Sequence, residues 1–180
     1  MRYTDYPEIK AFHDTLGNCS TDDEHEERMS TSALQVINFD KVKTAYLNQR
    51  GFSEEKARSI DALVNGSDKI TYLIEFKNGN VKNENKNIQI KLRDSILMIC
   101  DICHCSISNT RDNLAFVLVY NEERANLDVL TKRAINTANL SGKAASFLQL
   151  DRVEGFIVKR VFVLTKETFE TKMLPRLKGI

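Results

Sequence analysis

The longest uninterrupted apolar run, Leu114-Ala115-Phe116-Val117-Leu118-Val119-Tyr120, predicts a strand covered on both of its faces. A second strand is predicted at Ile70-Thr71-Tyr72-Leu73-Ile74-Glu75-Phe76-Lys77, rich in β-branched and aromatic residues and ended by Asn78-Gly79. Ile60-Asp61-Ala62-Leu63-Val64 and Gly155–Leu164 complete the strand-like segments. Helical spacing is clearest over residues 86–104, where Ile88, Leu92, Ile96, Ile99 and Cys103 form a stripe that Ile90, Leu97 and Met98 widen. Leu127, Leu130, Ala134 and Ala138 mark a further helix, and Gly142–Leu150 a short helical piece. Thr165 is placed to cap a closing helix of Phe169, Met173 and Leu177.

The N-terminal third reads as helical too. Ile9, Phe12 and Leu16 predict a helix over 5–16 stopped by Gly17, and Ser20 or Thr21 would cap another whose first turns are acidic. Residues 31–49 carry an imperfect stripe of Leu34, Ile37, Val42, Ala45 and Tyr46, broken near Asn38-Phe39-Asp40. Ser53 would cap one more turn. This order of elements predicts an α/β fold, a sandwich of helices about a central mixed sheet.

Asn65-Gly66-Ser67-Asp68-Lys69 is a turn signal, so the segments on either side should form an antiparallel hairpin. Side chains alternate across a strand, which puts Glu75 and Lys77 on one face and Ile74 and Phe76 on the other. Register decides whether Asp61 joins them. A two-residue turn at Gly66-Ser67 sends Asp61 to the face opposite Glu75, and a loop one residue longer makes the two acids diagonal. A five-residue loop sets them directly opposite, with Cβ atoms roughly 5 Å apart. The longer loop is expected, because the short one buries an acid without a partner. Two bare carboxylates at that separation repel, which calls for a cation between them.

Asp61 followed by Glu75-Phe76-Lys77 on the next strand resembles the PD-(D/E)XK nuclease superfamily, the restriction-endonuclease-like fold. The resemblance covers about residues 56–165; Ile60 stands where some members carry a proline before the aspartate. It implies a three-layer α/β/α sandwich in one domain over 1–180, with an N-terminal helical part at 1–55, a core at 56–165 and a closing helix at 166–180. It also implies a metal-dependent endonuclease acting on nucleic acid, with DNA favoured over RNA. Asp61, Glu75 and the backbone carbonyl of Phe76 would hold Mg²⁺, with Mn²⁺ as a substitute. Lys77 would orient or deprotonate the attacking water, with Lys91 and Gln89 at the start of the following helix in support. A further acid on the first core helix would be Glu27, or Glu24 one turn away. Members of the superfamily often pair, so a homodimer or a protein partner fits as well. The competing reading is a nuclease-like fold without activity, serving as a binding or interaction module, for example in a phage-defence or toxin–immunity system.

Charge and cysteine usage modify this picture only slightly. Residues 1–80 hold 10 Lys/Arg against 14 Asp/Glu, a balance of −4; residues 81–180 hold 16 against 11, or +5. The second half can therefore offer phosphate backbone a basic face, to which the Asn- and Lys-rich loop 78–87 would add. Cys100, Cys103 and Cys105 lie close together beside His104, with Cys19 and His25 far off in sequence. Their place at the end of an apolar helical pattern favours buried free thiols over a zinc site. No apolar run reaches the ~18 residues needed to span a bilayer, and the first residues lack a secretory core, so a cytoplasmic protein is expected.

Overall fold

The computed structural model describes residues 2–22, 26–81, 84–141, 146 and 148–179. Among the described residues six strands form one sheet, and two more form a separate hairpin. The sheet strands are β1 (His13–Thr15), β4 (Gln35–Asn38), β5 (Ala62–Asn65), β6 (Thr71–Lys77), β7 (Leu114–Tyr120) and β8 (Arg160–Thr165), adjacent in that order. Pairing is antiparallel from β1 to β6, and β7 and β8 then run parallel to β6. β2 (Thr21–Asp22) and β3 (Glu27–Arg28) make the separate hairpin.

Every residue of β7 is buried, as its unbroken apolar run requires of a strand covered on both sides. One face of the sheet packs Leu63, Leu73, Phe116 and Leu118 against α4 (Asn85–Ile102) and against Phe39 and Val42 of α3 (Phe39–Gln49). The other packs Val64, Ile74, Val117 and Leu164 against the C-terminal helical segment. That segment runs as α7 (Lys166–Thr168), a π-helical turn at Phe169–Met173 and α8 (Leu174–Lys178). Thr165 opens it by accepting the N–H of Thr168 at 3.1 Å. The result is a mixed α/β fold with helices on both faces of a six-stranded sheet.

The N-terminal third departs from the helical expectation for 1–55. Before β4 the described residues form a 3₁₀ turn at Tyr3–Asp5, α1 (Pro7–Lys10) and the four-residue α2 (Leu16–Cys19), and His13–Thr15 pairs with Gln35–Ile37 as a sheet edge. Two adjacent β-branched residues explain β4: Val36 enters one core and Ile37 the other, which a strand can do and an amphipathic helix cannot. Asn38 ends that strand and caps α3 by accepting the N–H of Lys41 at 3.2 Å, so the expected break is a helix start.

On α4 the stripe Ile88, Leu92, Ile96, Ile99 and Cys103 is buried as expected, along with Met98. Ile90 and Leu97 do not widen it; they are 44% and 63% exposed. They lie seven residues apart, two turns, and so share the side facing away from the sheet. The last strand begins at Arg160 rather than Gly155, since residues 155–159 are taken up by a turn in which Gly155 has φ +69°. Of the helical piece expected at 142–150, residues 142–145 and 147 lie outside the described residues, and Leu150–Arg152 forms a single 3₁₀ turn.

The four cysteines are free. Burial pushes the thiols of Cys100 and Cys103 up to about 12, which keeps them protonated and inert. Among the described residues no three His, Cys, Asp or Glu side chains are grouped so as to hold a metal ion.

Candidate active site

Asn65 pairs with Thr71 and Ala62 with Ile74, so the β5–β6 hairpin closes through a five-residue loop, the longer of the expected registers. Asp61 stands just before β5, on the Leu63 side of the sheet, and Glu75 faces the same way as Leu73. The backbone leaves the regular ladder there. The N–H of Asp61 donates to the carbonyl of Ile74 at 3.1 Å, and its own carbonyl accepts the N–H of Phe39. Its carboxylate Oδ2 accepts the N–H of Phe76 at 2.6 Å. That side-chain bond satisfies the strand donor that Asp61 would otherwise leave unpaired.

Glu75 is wholly buried. Its Oε1 receives Lys91 Nζ from α4 at 2.6 Å, and the same ammonium is 3.6 Å from Oδ1 of Asp61. Oε2 of Glu75 is buried without a hydrogen-bond partner. A carboxyl oxygen left so costs on the order of 1–3 kcal/mol unless a proton or a ligand meets it. The electrostatics agree with that strain. Burial raises the Asp61 carboxyl to about 6, against the pull of Lys91 and of the Phe76 N–H. Burial, reinforced by the charge of Asp61, holds Glu75 well above the usual carboxylate range. Burial works against the Lys91 ammonium too, but Glu75 and Asp61 outweigh it and keep it protonated.

Lys77 shares the face of Glu75 and its charge is felt by both acids, yet its Nζ pairs with Glu84 Oε2 at 3.1 Å instead of reaching them. Lys91, not Lys77, is therefore the ammonium that stands against both acids. Gln89, two residues before it, turns away: its amide donates to the carbonyl of Gln149 at 3.1 Å. Residues two apart on a helix point in different directions, so only one of them can face the hairpin.

Glu27 lies on β3 rather than a core helix. Its carboxylate takes Asn78 at 3.2 Å, Arg124 at 3.2 Å and Lys166 at 3.5 Å, and it makes no contact with Asp61 or Glu75. Thr21 pairs with Arg28 and Asp22 with Glu27, which holds Glu27 in the separate β2–β3 ladder. Glu24 lies outside the described residues. The acid that does stand near the site from the first core helix is Asp40, in the first turn of α3, whose charge bears on both Asp61 and Lys91 and which holds the Ser59 hydroxyl. Its signal in the sequence is the helix break at Asn38-Phe39-Asp40. The asparagines of loop 78–87 are spent internally in part: Asn78 bonds Glu27 and Asn121, and Asn87 bonds Glu84 and Arg58.

The oxygens that could hold a divalent cation here are those of Asp61 and Glu75 and the backbone carbonyl of Phe76. The N–H of Phe76 points to Asp61, and in a strand the N–H and C=O of one residue face the same edge, which directs the Phe76 carbonyl there as well. With the two carboxyl groups it makes an all-oxygen set suited to a hard ion, and Glu75 Oε2 is the oxygen in want of a ligand. In comparisons with protein-family models, curated proteins and solved structures, nothing matches this chain. No helix among the described residues is long and apolar enough to cross a membrane.

Proposed function

We propose that this protein is a metal-dependent nuclease that hydrolyses phosphodiester bonds, with DNA as its substrate. One observation carries the reading: Oε2 of buried Glu75 has no partner while Lys91 reaches both that carboxylate and the one of Asp61. Such an arrangement is costly for folding alone and suits a binding centre. Asp61, Glu75 and the Phe76 carbonyl would hold Mg²⁺, which when bound lowers the pKa of a water and offsets charge on the scissile phosphate.

The remaining work falls to side chains of this chain. The Phe76 N–H fixes the Asp61 carboxylate so that Oδ1 is the oxygen offered to the site. Lys91, drawn toward the acids by their combined charge, supplies the ammonium that orients the attacking water and meets negative charge growing on the phosphate. Lys77 stands at the rim, a quarter exposed, where it can leave Glu84 for a substrate phosphate. Asp40 adds negative charge that favours a cation at the centre.

A binding module without activity is the second reading, and two observations favour it. Lys91 already neutralises Glu75 as an internal counter-ion, and no third acid completes a metal cluster among the described residues. Incubating the protein with plasmid DNA and with RNA, with Mg²⁺ or with chelator, separates the readings. The nuclease reading expects Mg²⁺-dependent cleavage of DNA that falls by at least about a thousandfold in Glu75→Gln and Lys91→Ala. Absence of cleavage, together with no heat of Mg²⁺ or Mn²⁺ binding at millimolar ion, favours the module.

A further inference from the structure

A second charged cleft lies at the other end of β6, on the opposite face of the sheet from Glu75. Tyr72, Ala115 and Arg160 sit side by side across β6, β7 and β8, all on that face. The small Ala115 between two large neighbours leaves a hollow of about 240 Å³. Phe162 walls it one row along, its ring 6.4 Å from that of Tyr72, and Arg176 of α8 overhangs it 6.0 Å above the Tyr72 ring. Lys159 completes the rim.

Charge in the cleft does not balance. Lys159, Arg160 and Arg176 bring three positive charges and Asp68 one negative, a surplus of two. The one acid is fully engaged. Its Oδ2 accepts Arg176 at 2.6 Å and the Tyr72 hydroxyl at 2.8 Å, and its Oδ1 accepts the N–H of Ile70. Arg160 and Lys159 have no ion pair among the described residues. Asp68 thus acts as a brace that points Arg176 over the ring while neutralising neither of the other cations.

We propose that this cleft binds a phosphate group. A guanidinium fork at Arg160 offers paired N–H donors that match two phosphate oxygens, Lys159 adds a point charge, and the outer N–H groups of Arg176 close the third side. The hollow admits one phosphate and an attached sugar, not a duplex. The site stands independently of the nuclease reading, since it shares no residue with Asp61, Glu75 or Lys91.

Nuclear magnetic resonance on the full chain tests this. Inorganic phosphate is added against chloride of matched ionic strength while the side-chain N–H signals of Arg160 and Arg176 and the Tyr72 amide are followed. Saturable shifts at those groups are expected, with affinity reduced about tenfold or more in Arg160→Gln and in Lys159→Gln. Both side chains are exposed and unpaired, so their replacement leaves the fold intact, which far-ultraviolet circular dichroism verifies. A 5′-mononucleotide and a dinucleoside monophosphate then identify the source. Preference for the first marks a terminal phosphate, preference for the second a backbone phosphodiester, and equal binding of phosphate alone the free anion. Shifts that fail to saturate, that chloride reproduces, or that keep full affinity when Arg160 and Lys159 are both replaced overturn the proposal.

Discussion

Lys91 reaches from α4 to place its ammonium 2.6 Å from Oε1 of Glu75, a carboxylate with no exposed surface in the middle of the sheet. Breaking a buried pair by removing one partner typically costs about 3–5 kcal/mol. Lys91→Met should therefore lower the urea midpoint, and by less at pH 5 than at pH 8, because the raised Glu75 carboxyl needs its counter-ion less as pH falls. An equal loss at both values would show that the lysine contributes packing, not charge.

The raised carboxyl of Asp61 fixes the sign of a pH effect. In the unfolded chain it titrates near 3.8 and in the folded one near 6, so between those values the native state binds more protons and stability falls as pH rises. Asp61→Asn keeps an acceptor for the Phe76 N–H and removes the titration. Above pH 6 without divalent ions, this variant should be more stable than wild type, by about 1–3 kcal/mol. Denaturant unfolding across pH 4–8 reads this directly, and a wild-type curve flat over that range would count against the buried acid.

Millimolar Mg²⁺ should reverse the ordering. A ligand that binds only the folded state stabilises it by RT ln(1 + [L]/Kd), about 2.7 kcal/mol at a hundredfold excess over Kd. Differential scanning calorimetry at pH 7.5 should show the wild-type melting temperature rising with Mg²⁺ past that of Asp61→Asn, with Asp61→Asn and Glu75→Gln both staying put. Equal rises in wild type and variants would place the ion elsewhere.

Glu27 supplies a control. It latches β3 to Arg124 and Lys166 away from the acids, so Glu27→Gln should leave Mg²⁺ affinity and any cleavage within about twofold, as expected of exposed ion pairs. A loss of metal binding in a folded Glu27→Gln protein would return Glu27 to the ligand set.

The two sides of α4 should respond differently to truncation. Leu92 is fully buried, and Leu92→Ala should cost about 2–5 kcal/mol, whereas the exposed Leu97→Ala should fall within about 0.5 kcal/mol of wild type.

Local periodicity by itself determined the β5–β6 hairpin, the two-sided burial of β7, the main stripe of α4 and the sharing of one face by Asp61, Glu75 and Lys77. Each follows from a side-chain repeat of two or of 3.6 residues, and a register that buries an acid unpaired is selected against within the hairpin itself. Tertiary structure alone decided which lysine meets the acids. Strand alternation points Lys77 the right way, but at the end of β6 it is captured by Glu84, while the docking of α4 brings Lys91, sixteen residues beyond Glu75, down onto the carboxylates. The same holds for the N-terminal third, where the spacing of Ile9, Phe12 and Leu16 is helical yet residues 13–15 become an edge strand, because a partner strand at Gln35–Ile37 offers ladder bonds that no local pattern encodes.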